Sequence, residues 1–235
     1  MGARIEARSI ARRIGLKRAA LHLQRFVPGH DRYEAKVRAA MSAAVTEGDT
    51  VWDVGANVGL YTEMFSAWVG PRGQVMAFEP VPSCFEALCE ATSSSPNVRA
   101  FNVGLSDVET VLPMHLSEDV AGTMHTFASE RPTSGKIVEL PVCPGDVLRD
   151  LDGLPTPNVL KIDVEGFELE ALRGLDKTLS DLACRMVLCE VHFAVLEARG
   201  NKYAPQQIER YLLERGFSTR WVDASHLAAY RQANA

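Results

Sequence analysis

The sequence predicts an α/β fold in three layers: a mostly parallel sheet with helices on both faces, preceded by an N-terminal helical extension. Three observations carry this prediction. Short apolar runs alternate with helical patterns from Thr50 onward. The runs are almost continuously apolar, as strands buried on both faces are. Polar residues able to do chemistry collect where those runs end, which is where open parallel sheets place their ligands.

The elements follow in order. Residues 4–25 read as a basic helix with Ile10, Ile14 and Leu21 on one side. VPGHD (27–31) breaks it, and a second helix spans about 32–46 before the turn at Gly48-Asp49. The predicted division is an extension over 1–39 and a domain over 40–235. TVWDV is the first strand. After the next turn, Leu60, Met64, Ala67 and Trp68 recur at helical spacing as one buried stripe, and Gly70-Pro71 stops that helix. GQVMAFEP is a second strand ending in Glu79, followed by a helix from Pro82 through Phe85, Leu88 and Cys89. VRAFNVGLSD is a third strand with its exit loop. TVLPMHL and KIVELPV look like strands, separated by a polar stretch over about 117–135 that suits a functional loop. In it or beside it, His115, Met124 and His125 are candidate acceptor contacts. NVLKIDVEG runs into the helix FELEALRG, closed by Gly174. RMVLCEVH is another strand. APQQIERYLLERG is a helix with Pro205 in its first turn and Gly216 at its end. FSTRWVD and HLAAYRQ form a hairpin that adds an antiparallel strand.

The chain of 235 residues is 46% hydrophobic and 23% charged, enough for one compact domain with a large core. Its net charge of −5 is unevenly spread. Residues 1–38 hold ten Lys/Arg against three acids, a local +7, which leaves −12 on the remainder. Such an arm suits a membrane surface or a protein partner, or is a solvated helix; no nucleic-acid partner is expected. The five cysteines form no C-x-x-C and read as small buried apolar residues in a reducing compartment. No run of about 18 apolar residues is present, so no transmembrane helix is expected. ARRIGLK (11–17) is similar to a twin-arginine signal, but Arg18, His22, Gln24 and Arg25 interrupt any apolar segment after it. The expected location is cytoplasmic.

The turn after the first strand, DVGANVG, is the most informative loop. Its glycines, Gly55 and Gly59, stand four apart, and Leu60 occupies the place of the third glycine of a dinucleotide fingerprint. Asn57 tolerates a left-handed backbone. Glu79, twenty residues beyond Gly59, suits the two hydroxyls of a ribose. The loop carries no Lys or Arg to neutralise a pyrophosphate, and Asp53 would repel one. A cofactor with a ribose, an adenine and a cationic centre fits better, and S-adenosylmethionine is such a molecule.

VWDVGANVGLYT, FEP, NVGLSD and above all NVLKIDVEGFELEALRG resemble the signatures of FkbM-type methyltransferases, in order, over about residues 48–192. The resemblance implies a Rossmann-like class I methyltransferase fold, with a seven-stranded sheet of six parallel strands and one antiparallel. It implies S-adenosylmethionine as methyl donor and an oxygen nucleophile on a small-molecule or glycan acceptor such as a sugar or polyketide. Carried over by residue, Asp53, Gly55, Ala56, Asn57 and Gly59 surround the methionine part of the cofactor. Glu79 takes the ribose hydroxyls, and Ser106 and Asp107 lie near the adenine. Similar proteins often have a threonine–leucine–aspartate before the signature strand; here only the aspartate, Asp146, remains, without a clear role.

For the chemistry, period-2 alternation puts Lys161, Asp163 and Glu165 on one side while the strand persists, and Glu190 with His192 on another. Asp163, Glu165 and His192 are the catalytic candidates. His192 is the expected general base because an imidazole titrates nearest neutrality. Asp163 orients base or acceptor, and Glu165 binds an acceptor hydroxyl or is simply an acid at a helix N-terminus. Lys161 and Glu190 are expected to pair as ions across adjacent strands. A divalent metal such as Mg2+ on Asp163 with Glu190 or His192 is an alternative, not the favoured reading. An NAD-dependent oxidoreductase and a non-catalytic binding module are the other readings; the missing third glycine and acidic loop count against the first.

Overall fold

The computed structural model describes residues 30–116, 125–126 and 136–231. The predicted basic helix 4–25, most of the stretch 117–135 with Met124, and the side chains of His115 and His125 lie outside the described residues.

A helix α1 (His30–Ala44) is followed by β1 (Thr50–Val54), α2 (Leu60–Val69), β2 (Gln74–Phe78), α3 (Pro82–Ala91) and β3 (Val98–Phe101). Next come β4 (Gly104–Leu105), β5 (Thr110–Leu116), β6 (His125–Thr126), β7 (Lys136–Cys143) and α4 (Gly145–Asp152). The chain continues through β8 (Val159–Ile162), α5 (Glu168–Arg173), α6 (Asp176–Ser180), β9 (Met186–Glu190) and α7 (Phe193–Ala198). It closes with α8 (Ala204–Glu214), β10 (Ser218–Trp221) and β11 (His226–Tyr230).

One sheet has seven strands in the order β10-β11-β9-β8-β1-β2-β3. Only β11 runs against its neighbours, so six strands are parallel and one antiparallel. Alternation along the strands builds the three layers. Trp52, Val54, Leu160, Ile162, Val187 and Cys189 face α5 and α8, where Leu169, Leu172 and Leu212 meet them. Val51, Val75, Val159, Met186 and Leu188 face the other way, onto Val37 and Met41 of α1 and Phe65 and Val69 of α2. Both faces are dry, which is why the strands read as apolar runs rather than as alternating patterns. Among the described residues no helix is long and apolar enough to cross a membrane.

Several details depart from the expectations. Helix α2 forms where the spacing puts it, but its buried residues are Thr62, Phe65 and Val69 rather than the stripe from Leu60 to Trp68. The buried face is the one that carries Phe65 and Val69, and Thr62 on it donates a buried hydrogen bond to Asp53, 2.7 Å away on β1. Helix α1 runs unbroken through residue 39, and Val37 lies in the core beside Met41, so residues on both sides of that point share one core. Of the cysteines, Cys84, Cys143, Cys184 and Cys189 are buried as expected, whereas Cys89 is exposed on α3. TVLPMHL and KIVELPV are strands, but they stand apart from the main sheet. They pair antiparallel as β5 and β7, and with β4 and β6 they make a second sheet in the order β4-β7-β5-β6.

Asp146 has a structural role. Its buried carboxylate accepts hydrogen bonds from the Lys177 N–H at 2.7 Å, the Thr178 N–H at 2.9 Å and the Thr178 hydroxyl at 2.6 Å. It therefore ties the first turn of α6 to α4. Replacing it orphans two helix N–H groups and a buried hydroxyl, so Asp146→Ala should cost about 2–3 kcal/mol. A lower urea midpoint with unchanged slope is the expected reading.

Candidate active site

The carboxyl ends of β1, β2 and β8 open onto a cleft. Its floor is the turn after β1, where Gly55, Asn57 and Gly59 all have positive φ (79°, 50° and 90°). Gly55 is required for a reason the sequence did not disclose: a Cβ there would lie 1.8 Å from the Asp163 carbonyl oxygen. The close approach that demands this glycine is between the turn and the chain leaving β8. At Gly59 a Cβ would meet Leu88 of α3 at 3.0 Å.

Glu79 ends β2 and borders the cleft. One carboxylate oxygen accepts the Asn57 N–H at 2.8 Å and the other the Val81 N–H at 2.9 Å. Burial pushes its pKa up to about 7, against the lowering effect of those two hydrogen bonds. Gly55, Asn57, Glu79, Ser106, Asp163 and Glu165 all line the cleft. Other predicted contacts do not: Ala56 is packed with Ala77 and Leu88 in the core, and Asp107 is exposed.

Asp53 is also withdrawn from the cleft. It is fully buried, taking the Thr62 hydroxyl on one oxygen and the Lys161 ammonium on the other at 3.2 Å. The two residues are register partners on β1 and β8. Lys161 also reaches Asp163 at 3.5 Å and the Gly55 carbonyl at 3.3 Å. Burial alone would lower the Lys161 pKa, but Asp53 and Asp163 outweigh it and hold the ammonium charged. The expected Lys161–Glu190 pair is not formed. Strand register sets Lys161 opposite Leu188, two residues short of Glu190. Glu190 pairs instead with His226 at 3.3 Å, which also contacts Asp223 at 2.9 Å.

Asp163, Glu165 and His192 do come together, by a route other than strand alternation. Strand β8 ends at Ile162, and Glu165 is turned inward by a left-handed backbone, φ 51°, followed by Gly166 at φ 93°. His192, between β9 and α7, points its Nε2 at Glu165 Oε2, 3.3 Å away, and Asp163 Oδ1, 3.7 Å away. Its Nδ1 lies 2.6 Å from Oε1 of Glu168, a fully buried carboxylate that also accepts the Gly166 N–H at 2.8 Å. Glu168 was missed from the sequence; the available signal was an acid at the start of a helix whose neighbours are buried. Glu165 does not begin that helix, which starts at Glu168.

The charges alter the part expected of His192. Burial would lower its pKa, but Glu168, Glu165 and Asp163 together raise it to about 9. The imidazole is thus protonated at neutral pH, and nearness to neutrality no longer recommends it as the base. Burial raises the Glu165 carboxyl to about 7 and also raises Asp163, against the pull of Lys161.

The remaining wall is apolar and comes from the second sheet: Leu105 of β4, Leu112 and Met114 of β5, and Val142 of β7, with Val81 beside them. The sequence marks these residues as strand residues but carries no signal for where their sheet docks.

A sheet in this order with one antiparallel strand, and a cleft over the carboxyl ends of its central strands, defines the class I methyltransferase fold. The chain belongs to the methyltransferase FkbM domain family, whose model matches residues 53–219. It is 32% identical over 174 residues to the hexuronic acid methyltransferase AglP of Haloferax volcanii, a match covering 74% of this chain and 65% of that protein. It is 28% identical over 196 residues to Methyltransferase 1 of Beauveria bassiana, covering 68% and 78% of the two chains. Among solved structures, the FkbM methyltransferase of Methylobacillus flagellatus superposes with a TM-score of 0.52 at 15% identity, over 77% of this chain and 43% of that one. Aeropyrum pernix fibrillarin, solved with bound S-adenosyl-L-methionine, gives 0.51 at 15% identity, over 80% and 67%. The chain therefore spans less than two thirds of the Haloferax relative and less than half of the Methylobacillus protein.

The Asp53–Lys161 pair gives a test of the site's foundation. Lys161→Met leaves Asp53 buried with an uncompensated charge and should cost about 3–5 kcal/mol. Adding Asp53→Asn should restore part of that loss, a coupling that guanidinium unfolding of the two single variants and the double variant will measure.

Proposed function

We propose that the protein is an S-adenosylmethionine-dependent O-methyltransferase acting on a hydroxyl of a sugar, glycan, polyketide or related metabolite. The observation that carries this reading is the polarity of the cleft. At one end, Glu79 is held rigidly by two backbone N–H groups and has lone pairs left for a vicinal diol. Beside it the apolar wall of Leu105, Leu112, Met114 and Val142 suits a flat base. At the other end, Asp163 and Glu165 suit a sulfonium cation and the acceptor it meets. A dinucleotide fits less well. Among the described residues the cation at the turn, Lys161, is already paired with Asp53 and Asp163 and is not free to neutralise a pyrophosphate.

Bound there, S-adenosylmethionine would supply an electrophilic methyl group and leave as its neutral thioether. The chain's residues then have three tasks. The second sheet shields the cleft from water along its apolar wall. Glu165 accepts the hydrogen bond of the acceptor hydroxyl and takes its one proton, while Asp163 beside it helps to fix the oxygen in line. His192, protonated and anchored by Glu168, holds those two carboxylates in place. The concentration of acids favours a neutral hydroxyl acceptor over a carboxylate. The kinship with a hexuronic acid methyltransferase supports a saccharide acceptor.

Calorimetry with S-adenosylhomocysteine tests the cofactor assignment. Glu79→Ala should weaken binding by roughly tenfold or more, the loss of a charge-assisted contact to two hydroxyls. Absence of binding to the wild-type protein, or protection against melting by NAD alone, would overturn it. Ribose hydroxyls donate best to an ionised carboxylate, so affinity should rise as the pH passes upward through about 7, with proton release on binding. A screen of neutral saccharides and hexuronates with labelled methyl donor addresses the acceptor. Label found only in ester linkage to the hexuronates would contradict the hydroxyl reading.

A further inference from the structure

Asp163, Glu165 and His192 each present one donor atom, and these atoms all lie within 4.8 Å of one another at the rim of the cleft. We propose that the three residues hold a divalent metal ion that takes the acceptor's hydroxyl oxygen as a further ligand. Metal binding itself does not depend on the methyl-transfer reading; the part given to the acceptor does.

The spacing is that of a shared ion. The Nε2 of His192 stands 3.3 Å from Glu165 Oε2 and 3.7 Å from Asp163 Oδ1. Bonds of about 2.1 Å to one ion reproduce those separations with angles of roughly 100–125° at the metal.

Two of the donors are also held from behind. Lys161 takes the other oxygen of Asp163, leaving Oδ1 toward His192. Glu168 takes Nδ1 of His192 and so directs Nε2 into the cluster, and Glu168 is itself fixed by the Gly166 N–H. A carboxylate behind an imidazole is how metal-binding histidines are oriented and made more basic.

Charge supplies an independent argument. Four carboxylates (Asp163, Glu165, Glu168 and Glu190) gather at this sheet end against Lys161, His192 and His226. Lys161 is shared with Asp53 and His226 with Asp223. The second oxygen of Glu168 is fully buried and has no hydrogen-bond partner. A dication at the Nε2 position would replace a single proton with two charges and offset this excess. It would remain reachable, since the Asp163 and Glu165 side chains are 29% and 35% exposed and both line the cleft.

Two carboxylates and one imidazole, with no thiolate, suit Mn2+ or Mg2+, and the imidazole favours Mn2+ of the two. Positions left open on the ion face the cleft, where two neighbouring oxygens of a diol or hydroxy-ketone can chelate it. Coordination lowers the pKa of a bound hydroxyl, so its proton passes more readily to the other oxygen of Glu165, whose first oxygen holds the ion.

The test is titration of Mn2+ into chelator-stripped full-length protein, read by the paramagnetic resonance signal of free Mn2+, with Mg2+ as competitor. One saturable site displaced by Mg2+ is expected. Asp163→Asn, Glu165→Gln and His192→Ala should each weaken it roughly tenfold or more. Asp176→Asn, a remote surface carboxylate, should leave it within about twofold. Glu165→Gln removes no partner of the buried Lys161, so it keeps the test open should Asp163→Asn fail to fold. No saturable binding up to about 1 mM Mn2+, a concentration covering weak metal sites, overturns the proposal, as does a site that survives all three substitutions. Calorimetry with S-adenosylhomocysteine in chelator separates the readings. Cofactor binding without a Mn2+ site defeats the metal alone, and a Mn2+ site without cofactor binding defeats the methyltransferase reading alone.

Discussion

The buried bridge from Asp53 through Lys161 to Asp163 is the constraint on which the rest of the site depends. It joins the two central strands, β1 and β8, at the ends that carry the chemistry. Buried charges are tolerated only when paired and hydrogen-bonded, and here Thr62 and the Gly55 carbonyl complete the set. The consequences spread outward. The Thr62 bond ties α2 to β1, and Lys161 orients Asp163 toward His192. The contact of Gly55 with the Asp163 backbone keeps the turn and the acidic cluster at one separation.

The same bridge sets the sign of the cleft. A lysine at the end of a central strand would ordinarily attract phosphate, but this one is consumed by two aspartates. What remains facing the opening is acidic at the β8–β9 end and carboxyl-bearing at the β2 end. An acidic field of this kind favours cations over anions. The cleft's second wall comes from a separate four-stranded sheet, so polar and apolar surfaces are supplied by different parts of the chain. The main sheet provides the acids, and the second provides most of the dry surface.

Residue by residue, the sequence disclosed the strands and helices of the main sheet because burial on both faces leaves a strong local pattern. It disclosed Asn57 and Glu79 because a left-handed turn and a strand-end carboxylate are local events. The phase of α2 was misjudged for the opposite reason: the helix offers two apolar faces, and the tertiary contacts of Phe65, Val69 and Thr62 select the other one. Lys161 was matched with Glu190 because adjacency of strands can be guessed while register cannot. His192 was chosen as base on its intrinsic titration, but Glu168, a residue of another element, raises its pKa.

By itself the sequence determined the α/β class, the parallel order implied by its alternating elements, the family, and the set of polar residues at the strand ends. These follow from periodicity and from motifs whose physical requirements are satisfied within a few residues. Only the tertiary structure decided which charges meet. Asp53 went to Lys161, Glu190 to His226, and Glu168 to His192, while Asp163, Glu165 and His192 came to share one point in space. Pairing of buried charges depends on strand register and on turns such as that at Glu165, and a shift of one residue moves a side chain to the opposite face.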